Sequence, residues 1–290
     1  GAVRSASARG GQRATRHIAA SIGRGGNAMI SQTTVARIEA STIWRMKRVE
    51  CMDLPEGRLL VKGQRALRSP WPHRVLNMFA WMAGVPYLKA VPVHGGSRSQ
   101  AIEIKRLQAL RQAGLAVPEV HHVASDYFVM SYLGSNDLAR ALREQGSGAY
   151  GLWMAAMEHL LLVHAKGQYL SQCFARNIIV ADAFRGMIDF EDDPLEVMTL
   201  EQAQARDWLV FLQSSLWNLA LEPERLDAAL QQVLSRELPQ VRMVLAHAAR
   251  RLSWLRHLPT NRRIWGKDFV SLQAVGEAMY RHHQTQQQSP

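Results

Sequence analysis

His164-Ala-Lys-Gly167-Gln-Tyr-Leu-Ser-Gln172-Cys-Phe-Ala-Arg-Asn177-Ile-Ile-Val180 is followed by Ala-Asp-Ala-Phe-Arg-Gly186-Met-Ile-Asp189-Phe190-Glu191. Its reading decides the fold. An apolar helix stops near Gly167, and an irregular loop carries polar side chains as far as Asn177. Two short β-branched or apolar runs then follow, Ile178–Val180 and residues 187–188, separated by turn residues, which predicts a hairpin. The second strand delivers Asp189 at its end. A tight hairpin that brings an amide and a carboxylate together makes a two-oxygen seat suited to Mg²⁺, which takes few protein ligands and fills its shell with phosphate oxygens and water.

On these residues the chain resembles the protein-kinase-like superfamily. It is most similar to the bacterial lipopolysaccharide-core (Kdo and heptose) kinases and to small atypical Ser/Thr kinases. Those commonly read His-x-x-Gly-x-x-His-x-Asp-x-x-x-x-Asn, then a strand and Ile-Asp-Phe. His164, Gly167, Asn177 and Ile188-Asp189-Phe190 stand in register with that pattern. The departure is at Leu170-Ser171-Gln172, where the family has His-x-Asp. The family's catalytic aspartate takes the proton of the acceptor hydroxyl, and an amide at Gln172 can orient a hydroxyl but not deprotonate it.

The resemblance implies an α+β, bilobal kinase-like fold, with a small antiparallel-sheet N-lobe over residues 29–134 and a helical C-lobe over 135–281. It implies ATP and Mg²⁺ as cofactors, with Asn177 and Asp189 on the metal and Gln172 at the catalytic position. Lys62 would hold the phosphates, with Glu103 holding Lys62. Met130, Tyr132 and Leu133 would form the hinge that meets adenine through backbone groups. Asp207 and His164 would support the catalytic-type loop, although an aspartate satisfying a helix dipole is the plain alternative for Asp207.

The residues between these landmarks carry their own signals. From residue 30 to 64 the pattern reads as β: 42–49 alternates apolar and basic residues, 53–57 is turn chemistry, and Arg58-Leu-Leu-Val-Lys62 is the answering strand. Ser97-Arg-Ser-Gln100 reads as a capping box that opens a helix ending at Gly114. Glu103 is the only acidic residue between Arg58 and Pro118. A carboxylate from this stretch that holds a lysine must therefore be Glu103, and local pairing with Arg106 is the other option. Lys89 competes with Lys62 for the lysine role. Leu76–Ala83 reads as a short apolar helix, core or membrane-facing. Helices are expected over 137–144, 152–165 and 201–217, over two segments of 222–255 split at Pro239, and over 268–280. Glu191, Asp192, Asp193 and Glu196 crowd together after the hairpin. They are either solvated loop acids or the source of a second metal ligand or substitute base.

Composition sets the outer bounds. The 290 residues are 47% hydrophobic, enough for a packed core, with no uninterrupted apolar run of membrane-spanning length. Cys51 and Cys173 are the only cysteines and suggest no disulfide framework, so a reducing cytoplasm is the expected setting, with peripheral contact at the inner membrane as the open alternative. Net charge is +11, five of it from arginines in residues 1–28, a leader expected to be disordered; without it the remainder is still basic at +6. Such a surface favours nucleotide and an anionic saccharide, lipid or protein acceptor. No specific nucleic-acid reader is recognisable. The Gln-rich 282–290 is expected to be a disordered tail. Two functions follow from the resemblance. One is ATP-dependent phosphotransfer to the hydroxyl of a lipopolysaccharide-core sugar or a protein Ser/Thr. The other is a pseudokinase that retains nucleotide or only the fold, which the Gln172 replacement and the lack of a glycine loop between Asn27 and Glu56 favour.

Overall fold

The computed structural model describes residues 30–64, 91–92, 94–258 and 260–288. The expectations attached to residues 1–28, to Leu76–Ala83 and to Lys89 fall outside them. In chain order the elements are α1 (Gln32–Ala40), α2 (Ile43–Lys47), β1 (Val49–Leu54), β2 (Gly57–Gly63), α3 (Gly96–Gln112), β3 (Val120–Val123) and β4 (Tyr127–Ser131). There follow α4 (Leu138–Gln145), α5 (Tyr150–Ala165), β5 (Ile178–Val180), β6 (Phe184–Met187), α6 (Leu200–Leu219), α7 (Pro223–Leu234), α8 (Pro239–Leu252) and α9 (Arg262–Gln288). The architecture is α+β: a four-stranded antiparallel sheet, ordered β1-β2-β4-β3, with a larger helical part and a separate β5-β6 hairpin.

Side-chain alternation along the central strand sets the layering. Every residue from Tyr127 to Met130 is buried, which requires cover on both faces. Phe128 and Met130 join the large core with Leu107 and Leu110 of α3. Tyr127 and Val129 join a smaller cluster with Ile38, Trp44, Met52, Leu59 and Val61. By the same alternation Leu59 and Val61 of β2 face the small cluster, and Leu60 and Lys62 face α3. The sheet's hydrophobic pattern thus aims a lysine at a helix.

The expectation of continuous β structure from residue 30 is corrected, because α1 and α2 precede the first strand. Within 42–49 only Trp44 is buried, while Ile43 is 43% and Met46 75% exposed. Two carboxylates anchor the helices. Glu56 accepts the Ser31 amide at 2.9 Å and the Thr34 hydroxyl at 2.8 Å; Glu50 accepts the Ser41 hydroxyl at 2.6 Å and the Trp44 amide at 3.2 Å. Capping by distant acids overrides the local alternation.

The Ser97–Gln100 capping box also fails to form. Gly95 is the N-cap, and the Gln100 amide instead donates to the Ala124 and Tyr127 carbonyls at 2.9 and 3.2 Å. The far end of α3 is as expected. Gly114 takes φ +76°, and the Leu115 amide reaches back to Leu110 O at 3.0 Å.

Trp153 and Phe211 stack between α5 and α6 at 6.1 Å, and the Trp153 indole donates to Ser215 at 3.0 Å. Proline opens both α7 and α8, the position where a missing N–H costs least. α9 runs on through the residues expected to form a tail. His282 is buried there, and Arg281 pairs with Asp227 at 3.0 Å. Among the described residues no helix is long and apolar enough to cross a membrane.

Candidate active site

Three elements remote in sequence meet at one ammonium. Lys62 Nζ, on β2, lies 2.7 Å from Glu103 Oε1 on α3, 2.8 Å from Glu191 Oε1 and 3.3 Å from Asp189 Oδ1 after β6. Glu103 reaches the sheet because it lies on the stripe Glu103-Leu107-Leu110, whose members are all buried. Arg106, its alternative partner, turns instead to the Tyr169 carbonyl at 2.6 Å and over the Tyr169 ring. Asp189 takes φ +72°, a left-handed conformation rare outside glycine, which turns the chain directly after the hairpin. The loop then brings Glu191 in beside Lys62.

Arg48 completes the cluster. It leaves α2 with φ +70°, donates to the Gly63 carbonyl at 3.3 Å and pairs through its guanidinium with Glu191. Burial works against the charged Lys62, yet Glu103, Asp189 and Glu191 hold its pKa above the ordinary lysine value. Burial outweighs Lys62 at Glu103 and raises that carboxyl, with Asp189 and Glu191 adding negative potential. Burial would also raise Glu191, but Lys62 and Arg48 outweigh it and bring it down to about 2. Glu191 is therefore held firmly ionised.

The loop after α5 is held from α6. Asp207 Oδ2 accepts the Leu170 amide at 2.7 Å, Arg206 donates to Ser171 O at 3.0 Å, Gln204 to Gln168 O at 2.9 Å, and Ser214 accepts the Ala175 amide at 2.9 Å. Asp207 lies well inside α6, whose N-cap is Thr199, so it works as a loop acceptor and not on the helix dipole. His164 is fully buried, its Nδ1 2.6 Å from Glu237 and its Nε2 3.5 Å from Asp207. The second distance is too long for a good hydrogen bond, and the contact is mainly electrostatic.

Gln172 sits in this loop with its side-chain amide donating to Asp192 Oδ2 at 2.7 Å. The Gln172 backbone carbonyl accepts Asn177 Nδ2 at 2.9 Å, and the Asn177 backbone carbonyl accepts the Ile188 amide at 2.9 Å. Loop and hairpin are thereby stitched within two residues of Asp189.

Met130 lies inside β4 between Leu60 and Val120. Tyr132 and Leu133 follow the strand, Tyr132 under the Arg58 guanidinium at 4.8 Å. Asn177 and Asp189 offer hard oxygen donors of the kind Mg²⁺ takes, and the Asp189 side chain keeps 30% exposure. Glu103, Asp189 and Glu191 form a group able to hold a metal ion, with one oxygen of each within 4.8 Å of the others. In this arrangement the Lys62 ammonium supplies the positive charge among them.

No family model matches the chain, and no curated protein matches it significantly. The site thus rests on its own geometry.

Lys62, Glu103 and Asp189 come together; Gln172 and Asn177 are joined beside them; Asp207 and His164 lie behind the loop. Sequence reasoning missed Arg48, read as a half-exposed strand residue. It also missed the specific partners of Glu191 and Asp192, which stood only as members of an acidic run, and it missed Glu237 altogether. The acidic run in a basic chain was the one available signal.

Proposed function

We propose that the chain is a bilobal, protein-kinase-like phosphotransferase that moves the γ-phosphate of ATP to a hydroxyl. The observation that carries this reading is the meeting of Lys62, Glu103 and Asp189, from a strand, a helix and a hairpin, around one buried ammonium. Phosphoryl transfer depends mainly on positioning and charge neutralisation. Lys62, held by Glu103, would bind the phosphates, and Asn177 and Asp189 would hold Mg²⁺, which when bound neutralises phosphate charge. Tyr132 and Leu133, just beyond β4, would meet the base with Met130 behind them. The basic surface suits an anionic acceptor, saccharide, lipid or protein, met in the cytoplasm or at the inner face of its membrane.

A second reading is a pseudokinase that binds nucleotide without transfer. Two observations favour it: Gln172 carries no base, and Glu191 at 2.8 Å occupies one side of the ammonium that phosphate would need.

Calorimetric titration with Mg·ATP tests the shared premise. Wild type should bind, and Lys62→Met and Asp189→Asn should weaken binding by about 10–100-fold, the loss of one charge-assisted contact. Wild type that ignores Mg·ATP, or Lys62→Met that binds as well as wild type, removes the nucleotide reading. Release of γ-phosphate by wild type separates transferase from pseudokinase.

A further inference from the structure

From Leu238 to Lys267 the chain carries seven arginines and lysines and no aspartate or glutamate. The first part of that stretch is α8, which runs directly into a short 3₁₀ helix, Ser253–His257. Val241, Leu245, Ala248, Ala249 and Leu252 bury one face of α8. Met243, His247, Arg250 and Trp254 recur at intervals of four, three and four residues, so they share the opposite face. Met243 is 73% and Trp254 42% exposed, and Arg250 and Arg251 between them are exposed as well.

Neighbouring acids are held elsewhere. Glu237, just ahead of α8, is 3% exposed and bound to His164, and Asp227 and Glu277 both bind Arg281, at 3.0 and 3.2 Å. Among the described residues neither Arg250 nor Arg251 has an acidic partner. The face therefore presents uncompensated positive charge with a large apolar side chain at each end, about 16 Å apart at the α-helical rise. A polyanion would satisfy the arginines and leave Met243 in water. A bilayer of anionic lipid satisfies both: phosphates meet the guanidinium groups, while Met243 and the amphipathic indole of Trp254 enter between the headgroups. No helix among the described residues is long and apolar enough to cross a membrane, so the contact is one of a helix lying along the surface.

We propose that the outward face of α8, continued through Trp254, docks the protein on an anionic lipid surface. Arg250 and Arg251 meet lipid phosphates, and Met243 and Trp254 anchor the two ends of the face. The proposal goes beyond the phosphotransferase reading and does not depend on it, because α8 and the 3₁₀ helix after it carry none of the residues around Lys62.

Sedimentation of the full chain with lipid vesicles, in the absence of nucleotide, is the test. Wild type should bind phosphatidylcholine vesicles that carry phosphatidylglycerol and ignore pure phosphatidylcholine. Arg250→Ser/Arg251→Ser should weaken binding by about 10–30-fold, roughly fivefold for each arginine at an anionic surface, and Trp254→Ser by about tenfold. Arg45→Ser/Lys47→Ser, on exposed positions of α2, should bind as wild type. Trp254→Phe keeps an apolar anchor, so it should also bind as wild type, yet lose most of the quenching of tryptophan emission by lipids brominated along their acyl chains. The proposal is overturned by wild type that binds neither vesicle or both equally, by α8 variants that bind as tightly as wild type, by an α2 variant weakened as much as the arginine pair of α8, or by unchanged quenching in Trp254→Phe. It is overturned as well if wild type prefers duplex DNA to the anionic vesicles and the α8 arginine variant loses that binding, which would make the face a nucleic-acid surface. Each of these outcomes leaves the Mg·ATP titration to stand or fall by itself.

Discussion

Glu191 is 1% exposed and flanked by two cations, Lys62 and Arg48. Its carboxyl falls from the free value of 4.5 to about 2. A carboxyl with a lowered folded value contributes its stability in full above the unfolded value and loses it as pH falls through the folded one. The wild-type chain should therefore lose on the order of 2–3 kcal/mol between pH 4.5 and 2 through this group alone. Glu191→Gln should lack that part of the acid-side slope. Urea midpoints of both proteins across that range check it, and parallel curves would sink the assignment. At this scale the sequence was informative where exclusion applied: a single carboxylate in a long basic stretch had to be Glu103. It was silent where several candidates were equivalent. Nothing in Glu191-Asp192-Asp193 says which faces Lys62, which faces Gln172 and which takes Tyr169, because those partners lie 20 or more residues away along the chain.

The β5–β6 hairpin shows how an element rather than a residue positions the site. Met187 donates to the Ala116 carbonyl at 3.0 Å, so the hairpin is docked on the segment that follows α3. At Gly186 the approach leaves no room for a side chain: a Cβ would lie 2.7 Å from both Ala116 O and Leu133 Cδ1. The leucine can turn aside, but the carbonyl belongs to backbone and cannot move cheaply. Gly186→Ala should cost about 1–3 kcal/mol of stability, as overpacking does, and should weaken Mg·ATP binding by shifting Asp189 three residues on. Thermal unfolding and titration together check this, and an unchanged midpoint with unchanged affinity would refute the docking argument. The hairpin was legible because turn residues and β-branched runs are local signals. α1 and α2 were not, because Glu50 and Glu56, which anchor them, act from β1 and from the β1–β2 turn that follow.

Across the whole molecule, the order of strand, helix, strand, loop and hairpin could be read from the chain, but the packing of the last helices could not. His164 had no visible partner in the sequence, and Glu237 lies 73 residues further on. Between α7 and α8, Glu237 accepts His164 Nδ1 and the Trp208 indole, each at 2.6 Å, and the Leu238 amide at 2.7 Å. With Asp207 reaching from α6 to the loop, the C-terminal helices are tied to the site through buried charge. Burial opposes charge on His164, but Asp207 and Glu237 raise its pKa above the ordinary value. Burial likewise opposes charge on Glu237, but His164, Trp208 and the Leu238 amide lower it. A raised histidine contributes fully below its unfolded value of 6.5 and fades as pH climbs through its folded one; a lowered glutamate contributes fully above 4.5 and fades as pH drops. Both contributions coexist between pH 4.5 and 6.5, so this network should be worth most there. His164→Leu leaves Glu237 buried without its cation and should cost about 3–5 kcal/mol near pH 5.5. The deficit should shrink on the alkaline side, where wild type itself loses the charged imidazole. Urea unfolding followed by tryptophan emission, with Trp208 as a reporter inside the network, checks both size and pH course; a deficit that grows with rising pH would mean that His164 is neutral in the folded chain.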